Sequence, residues 1–215
     1  YLNERAVGRG IKKSGVLRDE IFIATKLWPS VYEQDGAVDK CLELLDTDYI
    51  DLLYIHQPSG NYLAGYKQLE DAYKAGKIKA IGISNFHGDK LEDLLAHAEI
   101  KPHVIQLESH PYYTDTRTMD QALLNEPVFT ELAQKYGKSN AQIILRWHVQ
   151  RGTTVIPGST NPDHIKANAD IFDFALTDDE MAAIEKLNKN VRYYNATPEQ
   201  EAAYAGMKID LDAQP

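Results

Sequence analysis

Short apolar runs alternate with amphipathic segments along most of the 215 residues. Runs rich in β-branched and aromatic residues predict buried strands, and apolar positions three or four apart predict helices. The predicted strands end at Lys26, His56, Ile83, Leu107 and Ile156. Helical segments between strands imply parallel pairing, because parallel neighbours need a crossover connection. The pattern therefore predicts an α/β fold.

The predicted helices are amphipathic and carry recognisable end signals. They span 4–13, 36–45, 63–75, 89–97, 127–136, 140–150, 163–168 and 179–187. Gly76 is a favourable C-cap residue, Ser139 is an N-cap, and Thr177 opens a capping box. No break in composition divides the chain, so we expect one domain over 1–215, with 188–215 as a polar tail over the surface.

Polar side chains stand where four of the predicted strands end. Lys26 and His56 end two of them, Ser84 and Asn85 follow the third, and Gln106 belongs to the fourth. Parallel α/β folds place their chemistry at the carboxyl ends of strands. Each residue alone could be an ordinary solvated or structural residue, but the repetition favours one converging site.

Charge and cysteine content exclude several classes of protein. The formal net charge is −9 without a basic block, which argues against nucleic acid or an anionic membrane as partner. No apolar stretch reaches the ~18–20 residues that span a bilayer. Cys41 is the single cysteine, so no disulfide can form within the chain, and a reducing, cytoplasmic location is expected.

Six motifs, in the same order, resemble those of the aldo-keto reductase family from Tyr1 to about Leu187. They are Tyr1-Leu2-Asn3-Glu4 with Val7-Gly8, Thr25-Lys26-Leu27-Trp28, Ile55-His56-Gln57-Pro58, Gly82-Ile83-Ser84-Asn85-Phe86, Gln106-Leu107-Glu108-Ser109-His110-Pro111, and Ile156-Pro157-Gly158-Ser159 through Asn168, Phe172, Asp173 and Phe174. The resemblance implies a (β/α)8 TIM barrel and hydride transfer from NAD(P)H to a carbonyl carbon.

Two parts of the family pattern have no counterpart in these residues. The family's catalytic aspartate and first two strands are expected upstream of Tyr1. The fifteen residues 112–126 are too few for the expected helix, seventh strand and loop. Either the sequence omits segments, including one near 118–125, or the molecule is itself shortened. We favour omission, because an open five-stranded sheet would expose its edges.

The resemblance implies a role for each of three residues. Tyr1 would be the general acid, Lys26 would lower its phenol pKa from the ordinary value of about 10, and His56 would orient and stabilise the carbonyl oxygen. Trp28 would form an apolar wall for the substrate. His110 is a weaker candidate for a substrate contact.

The cofactor is expected to lie across two groups of residues. Ser84, Asn85 and Gln106 can exchange hydrogen bonds with a carboxamide. The phosphate end would meet Pro157, Gly158, Ser159, Thr160, His164 and Asn168. NADP-using members typically carry Lys at the position of Gly158 and Arg at that of His164. NADP(H) is therefore expected, with NAD(H) as the alternative, because both cations are absent.

The implied substrate is a small aldehyde, ketone or sugar-derived carbonyl, and a monomer is the family default. Two alternatives stay open. One is a nucleotide-binding sensor without catalytic activity. The other is a metal-dependent barrel hydrolase, which the residues support poorly because no His-x-His pair or His/Asp cluster has the spacing of metal ligands. No metal site is therefore predicted.

Overall fold

The structure is a computed structural model that describes residues 1–111, 121–189 and 196–214. The backbone forms two compact units, Tyr1–Leu107 with Ala196–Pro215, and Glu108–Asn195. The single-domain organisation stays a prediction. The omission expected near residues 118–125 begins at Thr118, which lies outside the described residues. Among the helices that are described, none has both the length and the apolar character needed to cross a bilayer.

The first unit is built on a parallel sheet. Helix α1 is Glu4–Ser14, and the described strands are β1 Ala24–Leu27, β2 Leu52–Ile55, β3 Ile81–Ser84 and β4 Val104–Gln106, paired in that order. The crossover helices are α2 Ala37–Leu45, α3 Tyr62–Lys74 and α4 Gly88–His97. Consecutive strands run parallel, so all of them end at one edge of the sheet. The predicted α/β class is confirmed.

The core of the first unit centres on β2 and β3. Leu53, Ile55, Ile81 and Ile83 expose none of their surface. Parallel sheets are covered on both faces, so their inner strands are continuously apolar rather than alternating. This is the property that allowed the strands to be located in the sequence.

Helices α1 and α2 approach each other closely where Gly8 faces Leu45. A Cβ at Gly8 would lie 2.5 Å from the Leu45 carbonyl oxygen, a distance that a real Cβ cannot adopt. Glycine is therefore required for this contact. The helix ends at Ser14, followed by Gly15 in the left-handed conformation (φ 72°) that commonly terminates helices.

The second unit is helical in its described part. Its helices are α5 Gln121–Leu124, α6 Pro127–Tyr136, α7 Asn140–Gln150, α8 Pro162–Ala169 and α9 Asp178–Glu185. The predicted caps Ser139 and Thr177 each form a complete capping box. Phe129, Ile143 and Trp147 are fully buried and form the centre of this unit's core.

The predicted strand over 153–156 is wrong. The segment has no regular structure, and Ile156 exposes 65% of its surface. A strand requires a neighbouring strand, and the described residues of the second unit contain none. A short apolar run alone was therefore a misleading signal.

The chain returns to the first unit with a helix that the sequence analysis missed. Helix α10 spans Pro198–Gly206 and begins with a capping box between Thr197 and Gln200. A short 3-10 turn follows over Leu211–Ala213, and Leu211 packs against the core of the first unit. The described part of the tail is therefore partly helical rather than simply polar coil.

Candidate active site

Lys26 lies on β1, beside Tyr54 on β2. Its Nζ is 5.4 Å from the centroid of the Tyr54 ring and 5.8 Å from that of the Tyr1 ring. The Tyr54 ring has space because the facing residue of β3 is Gly82, where a Cβ would lie only 2.3 Å from the ring. Gly82 thus allows Tyr54 to offer an aromatic face to the ammonium group.

His56 is the first residue after β2 and is 6% exposed. Its backbone N–H donates a hydrogen bond to the Leu27 carbonyl at 3.0 Å, which extends the sheet ladder by one residue. Its ring is edge-to-face with Trp28 at 4.9 Å between centroids and with Tyr1 at 5.7 Å. Backbone and aromatic contacts together fix the orientation of the imidazole.

Tyr1 precedes α1 and is 81% exposed. The structure therefore brings the three predicted catalytic side chains, Tyr1, Lys26 and His56, into one group in the first unit. The following residue, Leu2, has a φ of 53°. That left-handed conformation costs an L-residue roughly 1–2 kcal/mol.

Trp28 lies between His56 and Tyr204 of α10, with ring centroids 4.9 and 5.5 Å away. Its indole Nε1 is buried and has no hydrogen-bond partner among the described residues. Tyr204 was missed in the sequence analysis. It reaches this position through the tail helix, and no local sequence signal connects it to Trp28.

Ser84 and Gln106 are register partners on β3 and β4. The Ser84 Oγ and the Gln106 Oε1 are both buried, and within the part of the chain that the structure describes neither has a hydrogen-bond partner. Buried polar atoms are almost always paired. Two such atoms on adjacent strands fit a ligand that both donates and accepts hydrogen bonds, as a carboxamide does.

Asn85 joins this strand edge to His56. Its φ is 67°, a left-handed conformation that Asn tolerates better than most residues, and its backbone N–H donates to the Gln106 carbonyl at 3.0 Å. Its Nδ2 donates to the His56 carbonyl at 3.3 Å and to the Gln57 Oε1 at 3.2 Å. Gln57 belongs to the His56 motif of the sequence, but no role was predicted for it.

The other predicted site residues lie in the second unit. Residues 157–160 belong to the irregular segment before α8, His164 and Asn168 lie on α8, and His110 is buried. The Ser159 Oγ accepts a hydrogen bond from the Asn161 N–H at 3.1 Å. The Asn161 Oδ1 accepts one from the Asp163 N–H at 2.9 Å, which caps α8.

A sequence model of the Aldo/keto reductase family matches residues 1–126 and 117–189. The chain belongs to the aldo/keto reductase family. It is 45% identical over 213 residues to glyoxal reductase of Bacillus subtilis, an alignment that covers 89% of this chain and 77% of that protein. It is 38% identical over 217 residues to the 9,11-endoperoxide prostaglandin H2 reductase of Trypanosoma cruzi, with 89% and 76% covered.

A solved structure gives the same result for the reductase fold. The Bombyx mori aldo-keto reductase in complex with NADP superposes with a TM-score of 0.79 at 33% identity, covering 90% of this chain and 77% of that chain. The predicted (β/α)8 fold class is confirmed, and the described parallel sheet is consistent with part of such a barrel. The reductase is an oxidoreductase of a family that acts on small carbonyl substrates and uses NAD(P)H.

Proposed function

We propose that this reductase converts a small aldehyde, ketone or sugar-derived carbonyl to the alcohol, with Tyr1 as the general acid. The proposal rests on the grouping of Tyr1 with His56 and Lys26, at 5.7 Å between rings and 5.8 Å from ring to ammonium nitrogen. The similarity to glyoxal reductase makes glyoxal and related small aldehydes the first substrates to test.

The ends of β3 and β4 would hold the nicotinamide carboxamide. The Ser84 hydroxyl would donate a hydrogen bond to the carboxamide oxygen, and the Gln106 Oε1 would accept one from the carboxamide nitrogen. Asn85 would line the same site. The unpartnered Oγ and Oε1 atoms support this assignment. When bound, the reduced nicotinamide supplies the hydride that reaches the carbonyl carbon.

The chain's own groups would manage the charge that develops on the carbonyl oxygen. The Tyr1 phenol donates a proton to that oxygen, and the Lys26 ammonium favours the phenolate left behind. The His56 imidazole hydrogen-bonds to the same oxygen and orients the carbonyl. Trp28 forms the apolar wall beside it, and His110 stays a predicted substrate contact.

The phosphate end of the cofactor would meet the segment around α8. Backbone N–H groups at a helix start favour anions, and the proposed contacts are Pro157, Gly158, Ser159, Thr160, His164 and Asn168. Without cations at Gly158 and His164, a 2′-phosphate loses two charge-assisted contacts of ~1.5–3 kcal/mol each. NADPH remains the expected cofactor, with weakened discrimination against NADH.

Steady-state kinetics with both cofactors test this preference. We expect the ratio of kcat/KM with NADPH to kcat/KM with NADH to lie below about a thousandfold, which corresponds to ~4 kcal/mol. A larger ratio would contradict the proposed weakening. The double variant Gly158→Lys with His164→Arg should raise the ratio, because it supplies the two missing cations.

The role of Tyr1 is tested by removing its hydroxyl. Tyr1→Phe should lower kcat by about 10²–10⁴-fold while NADPH binding, measured by fluorescence titration, is retained. Tyr73→Phe removes a hydroxyl on α3 and is the matched control, expected to leave kcat unchanged. A Tyr1→Phe enzyme with the kcat of the parent would refute the assignment.

NADPH binding by the unaltered protein without turnover of any carbonyl in a broad panel would instead favour the sensor alternative.

A monomeric state and a cytoplasmic location also stay predictions. Size-exclusion chromatography with light scattering tests the first, and cell fractionation tests the second.

A further inference from the structure

The buried carboxylate of Glu4 joins three distant parts of the chain. Glu4 is the first residue of α1, three residues after Tyr1, and is 7% exposed. Its Oε1 accepts a hydrogen bond from the Thr25 hydroxyl at 3.3 Å, and its Oε2 accepts one from the Gln214 Nε2 at 2.6 Å. The Gln214 Oε1 accepts in turn from the Arg5 backbone N–H at 3.1 Å.

These hydrogen bonds are needed because the carboxylate is buried. A buried charge is unfavourable unless hydrogen bonds replace its hydration. Thr25 on β1 and Gln214 near the end of the chain supply one neutral donor each. Thr25 directly precedes Lys26, so one carboxylate connects the helix behind Tyr1 to the strand that carries Lys26.

The backbone between Tyr1 and Glu4 is strained. Leu2 has a φ of 53°, a conformation that persists in an L-residue only where its surroundings enforce it. Among the described residues, the hydrogen bonds of Glu4 to Thr25 and Gln214 hold the first turn of α1, two residues after Leu2.

We propose that Gln214 is a positioning residue for Tyr1 and acts through the Glu4 carboxylate. The inference rests on the proposed role of Tyr1 as general acid. Gln214 bonds to both Glu4 and the Arg5 N–H in the first turn of α1, and Glu4 bonds in turn to Thr25 of β1. The phenol is thereby kept beside His56 and Lys26, where proton donation requires it.

Asp212 provides a control in the same terminal segment. It pairs with Lys40 at 2.6 Å and Arg5 at 3.7 Å, and its side chain is 71% exposed. Exposed ion pairs contribute little to stability. Asp212→Asn removes these ion pairs of the terminal segment and leaves the hydrogen bonds of Glu4 unchanged.

The diagnostic substitution is Gln214→Glu in the complete protein. Two carboxylates would then face each other in a buried site, where the hydrogen bond donated to Glu4 is lost and the like charges repel. At pH 8 we expect kcat to fall about 10- to 100-fold, as misplacement of a catalytic group by roughly 1 Å does. The NADPH dissociation constant should change by less than about twofold, because Gln214 lies outside the proposed cofactor contacts.

Lowering the pH from 8 towards 5 should restore kcat relative to the parent enzyme, because the two carboxylates then share a proton. Among the titratable groups nearby, Cys41, Lys40 and Asp212 keep their charge over this range. Burial, and then the charge of Glu4, raise the pKa of the Cys41 thiol to about 12. The hydrogen bond between Lys40 and Asp212 raises the pKa of the amine and lowers that of the carboxyl.

The exchanged pair Glu4→Gln with Gln214→Glu keeps all three hydrogen bonds. Gln at position 4 donates to the new carboxylate and accepts from Thr25, and the new carboxylate accepts from the Arg5 N–H. This double variant should restore kcat at pH 8 to within about threefold of the parent value. The control Asp212→Asn should keep kcat within the same range. A purely structural role would lower the melting temperature of Gln214→Glu and leave its kcat per folded molecule unchanged.

Two outcomes would overturn the inference. One is a folded Gln214→Glu enzyme, judged by circular dichroism, with parental kcat at pH 8. The other is a folded exchanged pair that stays as slow as the single variant. If Gln214→Glu does not fold, Gln214→Ala replaces it, with the same kcat criterion. Retention of activity by Tyr1→Phe would refute the proposed function itself, so the two failures are distinguishable.

Discussion

Alanine substitutions at two glycines of α1 separate helix propensity from close packing. Gly8 and Gly10 lie on the same helix, and alanine favours a helix interior by about 1 kcal/mol over glycine at either position. A Cβ at Gly10 meets no atom within 4 Å, whereas one at Gly8 lies 2.5 Å from the Leu45 carbonyl oxygen. The two variants therefore differ chiefly in the steric overlap at Gly8.

The overlap at Gly8 determines the expected magnitude. Ordinary contact begins at 3.4 Å, so the two backbones must separate by roughly 1 Å. Overpacking of this kind costs about 1–3 kcal/mol. Gly10→Ala should thus stabilise the protein by about 0.5–1 kcal/mol, and Gly8→Ala should be about 1–3 kcal/mol less stable than Gly10→Ala.

The same displacement should reach the proposed active site, because α1 begins three residues after Tyr1. Urea denaturation measures the two free energies of unfolding, and steady-state kinetics at saturating NADPH measures kcat. We expect kcat to fall by up to about 100-fold for Gly8→Ala and to stay unchanged for Gly10→Ala. Equal stabilities would refute the close approach. Reduced stability of Gly8→Ala with full kcat would refute the link between α1 and Tyr1.

Two further predictions concern the buried histidine of α7 and the cap of α10. Burial lowers the pKa of His148 to about 4 from its ordinary 6.5, so the unfolded chain binds the additional proton between these values. Urea melts should therefore show about 2 kcal/mol of stability lost between pH 7 and pH 5, a loss that a folded His148→Gln variant should not show. Thr197→Ala removes the cap of α10 and should cost about 1 kcal/mol; it should also raise the KM for the carbonyl substrate, because Tyr204 packs on Trp28. Thr177→Ala removes the equivalent cap of α9 and should lower stability without changing that KM.

Elements with strong local signals were predicted well. Helices Pro127–Tyr136 and Asn140–Gln150 have the predicted limits, because Gly137 and Ser139 provide a stop and a start that depend on neighbouring residues alone. The strand predicted over 153–156 was wrong for the opposite reason, because a strand depends on a partner strand that is distant in the sequence. Helix α10 had a local signal, the Thr197 capping box, which the sequence analysis did not use.

The candidate site shows the same division. Lys26 and His56 were found because each stands at the end of an apolar run, and the ends of paired parallel strands converge. Tyr204 and Gln214 were not found, because their contacts with Trp28 and Glu4 connect opposite ends of the chain. The left-handed φ of Leu2 likewise has no local pattern in the sequence that predicts it.

Lys26 and His56 are held in place differently from Tyr1. The sheet sets the spacing of Lys26 and His56, since β1 and β2 are hydrogen-bonded neighbours and β2 is fully buried. Tyr1 lies in none of the described strands, and the helix α1 that follows it is held by the Gly8 contact and by the hydrogen bonds of Glu4. Substitutions that loosen the molecule at its surface should therefore displace the phenol well before they disturb the lysine and the histidine. On the proposed role of Tyr1, loss of proton donation with cofactor binding intact is then the expected first effect of damage to this reductase.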